Sequence, residues 1–310
     1  MEAFADRLAA AVTRRGNPVM VGLDPRFEQL PEPVVSAGEP LDLERRAAAC
    51  LVFCREVIDV VAPLVPVVKP QAAFFEQLGP PGMVALADVT RYATAKGLLV
   101  VFDGKRNDIG STAQAYAEGI LGAGDQSPWG ADALTVSPYL GADSLEPFVS
   151  VAQDRGAGVF VLVKTSNPGG GLFQDLVCEG RPLYGHVAAE VERWAARTAG
   201  SCGYGAVGAV VGATYPEQLA ALRAAMPHAW FLVPGYGAQG AGASDVAGAF
   251  DGGGLGAVVN NSRGILFAHT RPPYAERYGP QRWQEAVEAA TRDMIEQLRA
   301  ATPAGKLPPG

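Results

Sequence analysis

Residues 100–117 read VVFDGKRNDIGSTAQAYA and place Asp103, Lys105, Arg106 and Asp108 where an apolar run ends. Side chains at i and i+2 share one face of a strand, so Asp103 and Lys105 are expected to point the same way, with Gly104 on the other face. Asp108 falls beyond the strand, in the loop that opens the next helix. Lys69 ends another apolar run, VPVVKPQ, and from a neighbouring strand it reaches the same space. Two ammoniums alternating with two carboxylates keep one another ionised. Such a cluster is preorganised to handle an anion and to deliver a proton. The competing reading is a structural salt-bridge network, although burying several charges is costly without a function that retains them.

A second group suits a phosphate. Two more apolar runs end in VPGYGAQG and NNSRG. Arg263 supplies a permanent positive charge with forked donors. Gly235, Gly237, Gly240 and Gly264 let backbone N–H groups come close to an anion. The plainer alternative is a set of ordinary glycine-rich loops and a surface arginine. Taken together, the two groups point to a small phosphorylated substrate with charged-residue chemistry at its other end.

The elements that must carry these residues are eight Val-rich runs, at 18–25, 65–71, 98–105, 133–139, 158–166, 206–214, 230–237 and 256–264. Each is nearly continuous rather than alternating, as strands buried on both faces are. Helical patterns separate most of them, for example Leu43, Ala47, Leu51, Cys54 and Ile58. The pattern predicts an α/β fold, a single-domain (β/α)8 TIM barrel over residues 1–300, whose chemistry lies at the C-terminal strand ends. A doubly wound sheet is the alternative, weakened because no G-x-G-x-x-G follows the first strand. Segments 35–40 and 169–185 read as loop insertions, and 301–310 as a disordered tail.

Composition narrows the function classes. The 310 residues carry a formal net charge of -7 without a basic block, which argues against nucleic acid or a membrane surface as partner. Phe4, Leu8, Ala11 and Val12 give the N-terminus an amphipathic helical pattern rather than a signal peptide. No apolar run has the length of a membrane span. A soluble cytoplasmic protein is expected. Cys50, Cys54, Cys178 and Cys202 are scattered, and the three histidines form no ligand-spaced pair, so no zinc site is expected. Cys50 and Cys54 fit a core-facing helical stripe.

The chain resembles the orotidine 5′-phosphate decarboxylase family, in its longer bacterial branch. The D-x-K-x-x-D element is Asp103, Lys105 and Asp108; VGLDP, VVKPQAAFFE, VKTSNPG, VPGYGAQG and NNSRGI agree in order and position across about residues 18–270. The resemblance implies conversion of orotidine 5′-phosphate to uridine 5′-phosphate and carbon dioxide, the last step of de novo pyrimidine synthesis, with no metal and no organic cofactor. It further implies that Asp24 and Lys69 contact the ribose, Asp103 sits against the substrate carboxylate, and Lys105 protonates the ring carbon. Asp108, Ile109 and Thr112 would reach into the partner's site of a homodimer. Ser166 would bond the pyrimidine edge, with Thr165 the competing candidate. Pro234, Gln239 and Arg263 would bind substrate, the last two at its phosphate, with the Gln239 loop as a lid. Two alternatives stay open: a magnesium-dependent sugar-phosphate decarboxylase or aldolase of the same superfamily, with an acidic residue on the second strand, and a silent nucleotide-binding barrel.

Overall fold

The structure is a computed structural model and describes residues 2–35, 42–237 and 242–310. Eight parallel strands close into a barrel: β1 (Val19–Leu23), β2 (Val67–Pro70), β3 (Leu99–Arg106), β4 (Ala133–Val136), β5 (Gly158–Lys164), β6 (Val207–Val211), β7 (Phe231–Val233) and β8 (Ala257–Asn261). They neighbour one another in chain order, and β1 closes on β8 with Met20 beside Asn260. All eight expected strands are present, and closure excludes the doubly wound alternative. The strands stop two or three residues short of most expected C-terminal ends, because there the chain leaves the ladder for the functional loops.

Helices cover the barrel after each strand. These are Leu43–Val61, Gly79–Ala95, Gly110–Ile120, Ala142–Asp154, Leu183–Arg197 and Pro216–Ala225, then a 3-10 turn at Ser244–Ala249 after β7, and Trp283–Ala301 after β8. Asp42 caps the first by accepting from Arg45 N, which satisfies one free N–H of the opening turn. Its inner stripe, Ala47, Cys50, Cys54, Val57, Ile58 and Val61, is buried, so the two cysteines are core residues. None of the helices described is long and apolar enough to cross a membrane.

The N-terminal helix Phe4–Arg15 closes the bottom of the barrel. Its Arg7 pairs with buried Asp132 and donates to Gly156 O at 3.0 Å, just ahead of β4 and β5. Phe4 meets Phe160 edge-on with centroids 6.0 Å apart, and a Cβ at Gly158 would lie 2.2 Å from the Phe4 ring. The tail expected to be disordered is instead packed. Pro303–Lys306 forms a 3-10 turn, Ala304 and Leu307 are buried, and Arg299 donates to Leu307 O at 3.2 Å. Its Gly/Pro-rich composition hides two apolar residues that become buried, and Lys306 Nζ also donates to Gly252 O at 2.7 Å. The 169–185 insertion carries a small hairpin, Val177–Cys178 with Arg181–Pro182, which the sequence pattern does not announce. The expected loop at 35–40 falls almost wholly outside the described residues.

Candidate active site

A cavity of about 340 Å³ opens among the C-terminal strand ends. Asp24, Lys69, Asp103, Lys105, Ser166, Pro234 and Arg263 all line it, joined by Thr165 and Asn167. The barrel therefore brings together seven of the residues singled out by sequence. Asp108, Ile109 and Thr112 do not line it. They occupy the loop after β3 and the first turn of the next helix, where Ile109 is 56% exposed. Gln239 lies outside the described residues.

Asp103 is the hub. The β2–β3 ladder carries on past the named strands, with Gln71 beside Asp103 and Ala72 N donating to Asp103 O at 3.2 Å. Lys69 Nζ lies 2.5 Å and Gln71 Nε2 2.9 Å from Asp103 Oδ2. Lys105 Nζ lies 2.7 Å and Thr135 Oγ1 2.8 Å from Oδ1. Four donors thus fill a carboxylate that is 5% exposed. Burial by itself would raise the Asp103 pKa, but Lys69 and Lys105 outweigh it and hold the carboxyl well below the usual range. Burial would likewise lower Lys69, yet Asp103 and Asp24 hold it above its ordinary value. Asp103 therefore stays ionised down through ordinary carboxylate pH values and Lys69 up through ordinary ammonium values. The pair thus stays charged throughout the neutral range.

The i, i+2 expectation for Asp103 and Lys105 holds through a less regular backbone than expected. In the β3–β4 pairing Phe102 faces Leu134 and Arg106 faces Val136, so Asp103, Gly104 and Lys105 stand against Thr135 alone. Two extra residues preserve the facing parity, so both charges enter the cavity. Lys105 sits in the left-handed region at φ 43°, a strained conformation for a side chain with a Cβ.

Arg263 enters from β8's loop, two strands from Lys69 by way of β1. It pairs with no acid among the described residues, and positive-φ Gly235 and Gly237 lie nearby in the β7 loop. Asp24 Oδ1, Arg26 Nε and Asn260 Oδ1 are buried and find no hydrogen-bond partner among the described residues, and all three residues line the cavity. Buried polar atoms are nearly always paired, so these three leave polar capacity free at the cavity wall. Sequence reasoning missed Arg26 and Thr135 as site residues. Arg26 lies two positions past Asp24, with its guanidinium 4.8 Å from the centre of the Phe74 ring. Thr135 is the one hydroxyl inside the apolar run ALTV, and that was its signal.

The profile of the family described as Orotidine 5'-phosphate decarboxylase / HUMPS matches residues 19–278. The chain belongs to this family. An orotidine 5′-phosphate decarboxylase of Rhodopirellula baltica is 58% identical over 301 residues, covering 96% of this chain and all of the relative. One of Deinococcus radiodurans is 44% identical over 266 residues, covering 86% of this chain and 89% of the relative. Among solved structures, the Leishmania donovani OMP decarboxylase superposes with a TM-score of 0.74 at 35% identity, covering 96% of this chain and 98% of that one. The profile match spans both the charged cluster and the arginine loop. The sugar-phosphate alternative requires an acidic residue on the second strand; here that strand ends in Lys69-Pro70 with Gln71 next, and Lys69 and Gln71 both donate to Asp103.

Proposed function

We propose that the chain decarboxylates orotidine 5′-phosphate to uridine 5′-phosphate, as its 58% identical relative is named for doing. The observation that carries this reading is the Lys69–Asp103–Lys105 array inside a cavity that also holds Arg263, which pairs with no acid among the described residues. Loss of carbon dioxide breaks the bond from the ring carbon to the carboxylate and leaves the electron pair on that carbon. The Lys105 ammonium stabilises the developing carbanion more than it stabilises the ground state, then gives it a proton. The fixed charges need no reorganisation as the new charge forms. Asp103 stands where the departing carboxylate begins. Arg263, with Gln239, takes the phosphate, whose binding energy positions the ring. Asp24 and Lys69 take the ribose hydroxyls, which supply the hydrogen that Asp24 Oδ1 lacks. Ser166 meets the pyrimidine edge.

The working unit in this reading is a homodimer. Ile109 at 56%, Tyr139 at 84% and Leu140 at 45% exposure lie in the loops that follow the neighbouring strands β3 and β4. Apolar side chains grouped on the catalytic face favour burial against a second copy. Asp108, Ile109 and Thr112, outside their own cavity, would complete the partner's site. The substrate is a small metabolite and the four cysteines are free, in keeping with a cytoplasmic enzyme without nucleic-acid or membrane partners.

The test is the ultraviolet absorbance of orotidine 5′-phosphate incubated with purified protein and excess chelator. Loss of the orotate band with formation of uridine 5′-phosphate is expected. No change with folded protein would refute the reading and send the search to magnesium-dependent sugar phosphates.

A further inference from the structure

Thr135 is 1% exposed, at the centre of β4, and it alone faces the three-residue bulge of β3. A hydroxyl has one proton to give and lone pairs to receive. Thr135 uses both inside the charged array: Oγ1 donates to Asp103 Oδ1 at 2.8 Å and accepts from Lys105 N at 3.0 Å. Lys105 Nζ returns to the same Oδ1 at 2.7 Å. The hydroxyl therefore grips the proton donor by its backbone and the donor's carboxylate partner by its side chain.

The grip matters because the Lys105 backbone is held where it would not settle unaided. Among the described residues only Lys105 and Glu179 have positive φ without being glycine, and Glu179 is in the exposed hairpin. A strained conformation persists only where its surroundings over-determine it. At Lys105 the backbone N–H finds its acceptor in Thr135, and Gly104 permits the tight approach: a Cβ there would lie 2.8 Å from the Phe102 ring. An apolar isostere at 135 would leave that N–H without its acceptor and Asp103 with three donors in place of four.

We propose that Thr135 is a positioning residue that fixes the Lys105 ammonium relative to Asp103 for the protonation step. The inference rests on reading the cavity as the decarboxylation site. It concerns the reacting end alone, because among the described residues the Thr135 side chain hydrogen-bonds only Asp103 and Lys105.

The test compares Thr135→Val, Thr135→Ala and Thr135→Ser in the orotidine 5′-phosphate assay, with uridine 5′-phosphate affinity measured alongside. Thr135→Val is expected to lower kcat about 10–100-fold, the scale of a sub-ångström to ångström misplacement of a reacting group. KM and product affinity should stay within about threefold, and Thr135→Ser should restore kcat to within about threefold of wild type. A kcat for Thr135→Val within about threefold of wild type would overturn the proposal, as would equal losses in the Ser and Val variants. Should Thr135→Val fail to fold by circular dichroism, the Ala and Ser variants decide: loss with Ala and retention with Ser supports positioning, and equal behaviour overturns it. A wild-type protein that leaves the substrate untouched would refute the functional reading instead, so the two failures are told apart.

Discussion

Lys105 on β3 and Lys164 on β5 make an instructive pair. Both are lysines near a C-terminal strand end, both follow an apolar run, and both sit next to a register shift. Lys105 enters the cavity and shares Asp103 with Lys69. Lys164 is buried outside it, 2.5 Å from Asp175, with Tyr184 and Tyr215 rings at 5.3 and 5.4 Å. The difference is one of parity. In β3 two extra residues separate Phe102 from Arg106 relative to β4, so the alternation survives. In β5 Leu162 faces Val210 and Lys164 faces Val211, so one extra residue turns Lys164 to the other face. Leu162 and Val210 line the cavity, while Lys164 ties down the 169–185 insertion through Asp175. A one-residue bulge is thus enough to turn a strand-end lysine away from the cavity.

The comparison breaks first at Lys105. Lys105→Ala is expected to lower kcat by at least about 10⁴-fold, since it removes both the proton donor and the cation facing the carbanion. Uridine 5′-phosphate binding, measured by calorimetry, should persist. Activity close to wild type would end the proton-donor role.

A smaller signal is expected where two chains share one site. Asp108→Asn and Lys69→Ala proteins should each be inactive, yet an equilibrated equal mixture should recover roughly a quarter of wild-type activity. Half of the dimers would be mixed, and each would keep one intact site of two. No recovery in verified mixed dimers would count against Asp108 acting across an interface.

The least effect belongs to Lys164. Lys164→Met should leave kcat within about threefold and reduce unfolding free energy by about 1–2 kcal/mol, the scale of a partly exposed ion pair with cation–π contacts. Denaturant titration reads the stability. A large loss of kcat at unchanged stability would place Lys164 in the chemistry after all.

Much of the site was legible before any folding was considered. Asp24, Lys69, Asp103, Lys105, Ser166, Pro234 and Arg263 sit at the ends of apolar runs, and closure of the barrel gathers those ends at one rim. Thr135 was not legible as a partner of Asp103, because a threonine inside ALTV reads equally as a strand former. Arg26 was missed because it lies beyond the strand, where periodicity says nothing. The tail misled for the opposite reason: composition reports the average tendency of a segment, while Ala304 and Leu307 are buried against the rest of the chain.

The sequence by itself determined the element order, the parallel barrel and the residue types available at its rim. Those follow from local hydrophobic continuity and from the spacing of charges along single strands. Only the tertiary structure decided which face each charge took, because facing depends on the count of residues between two ladder contacts on different strands. It also decided that Asp103 carries four donors from three strands and their loops, since Lys69, Gln71, Lys105 and Thr135 meet only when β2, β3 and β4 lie side by side.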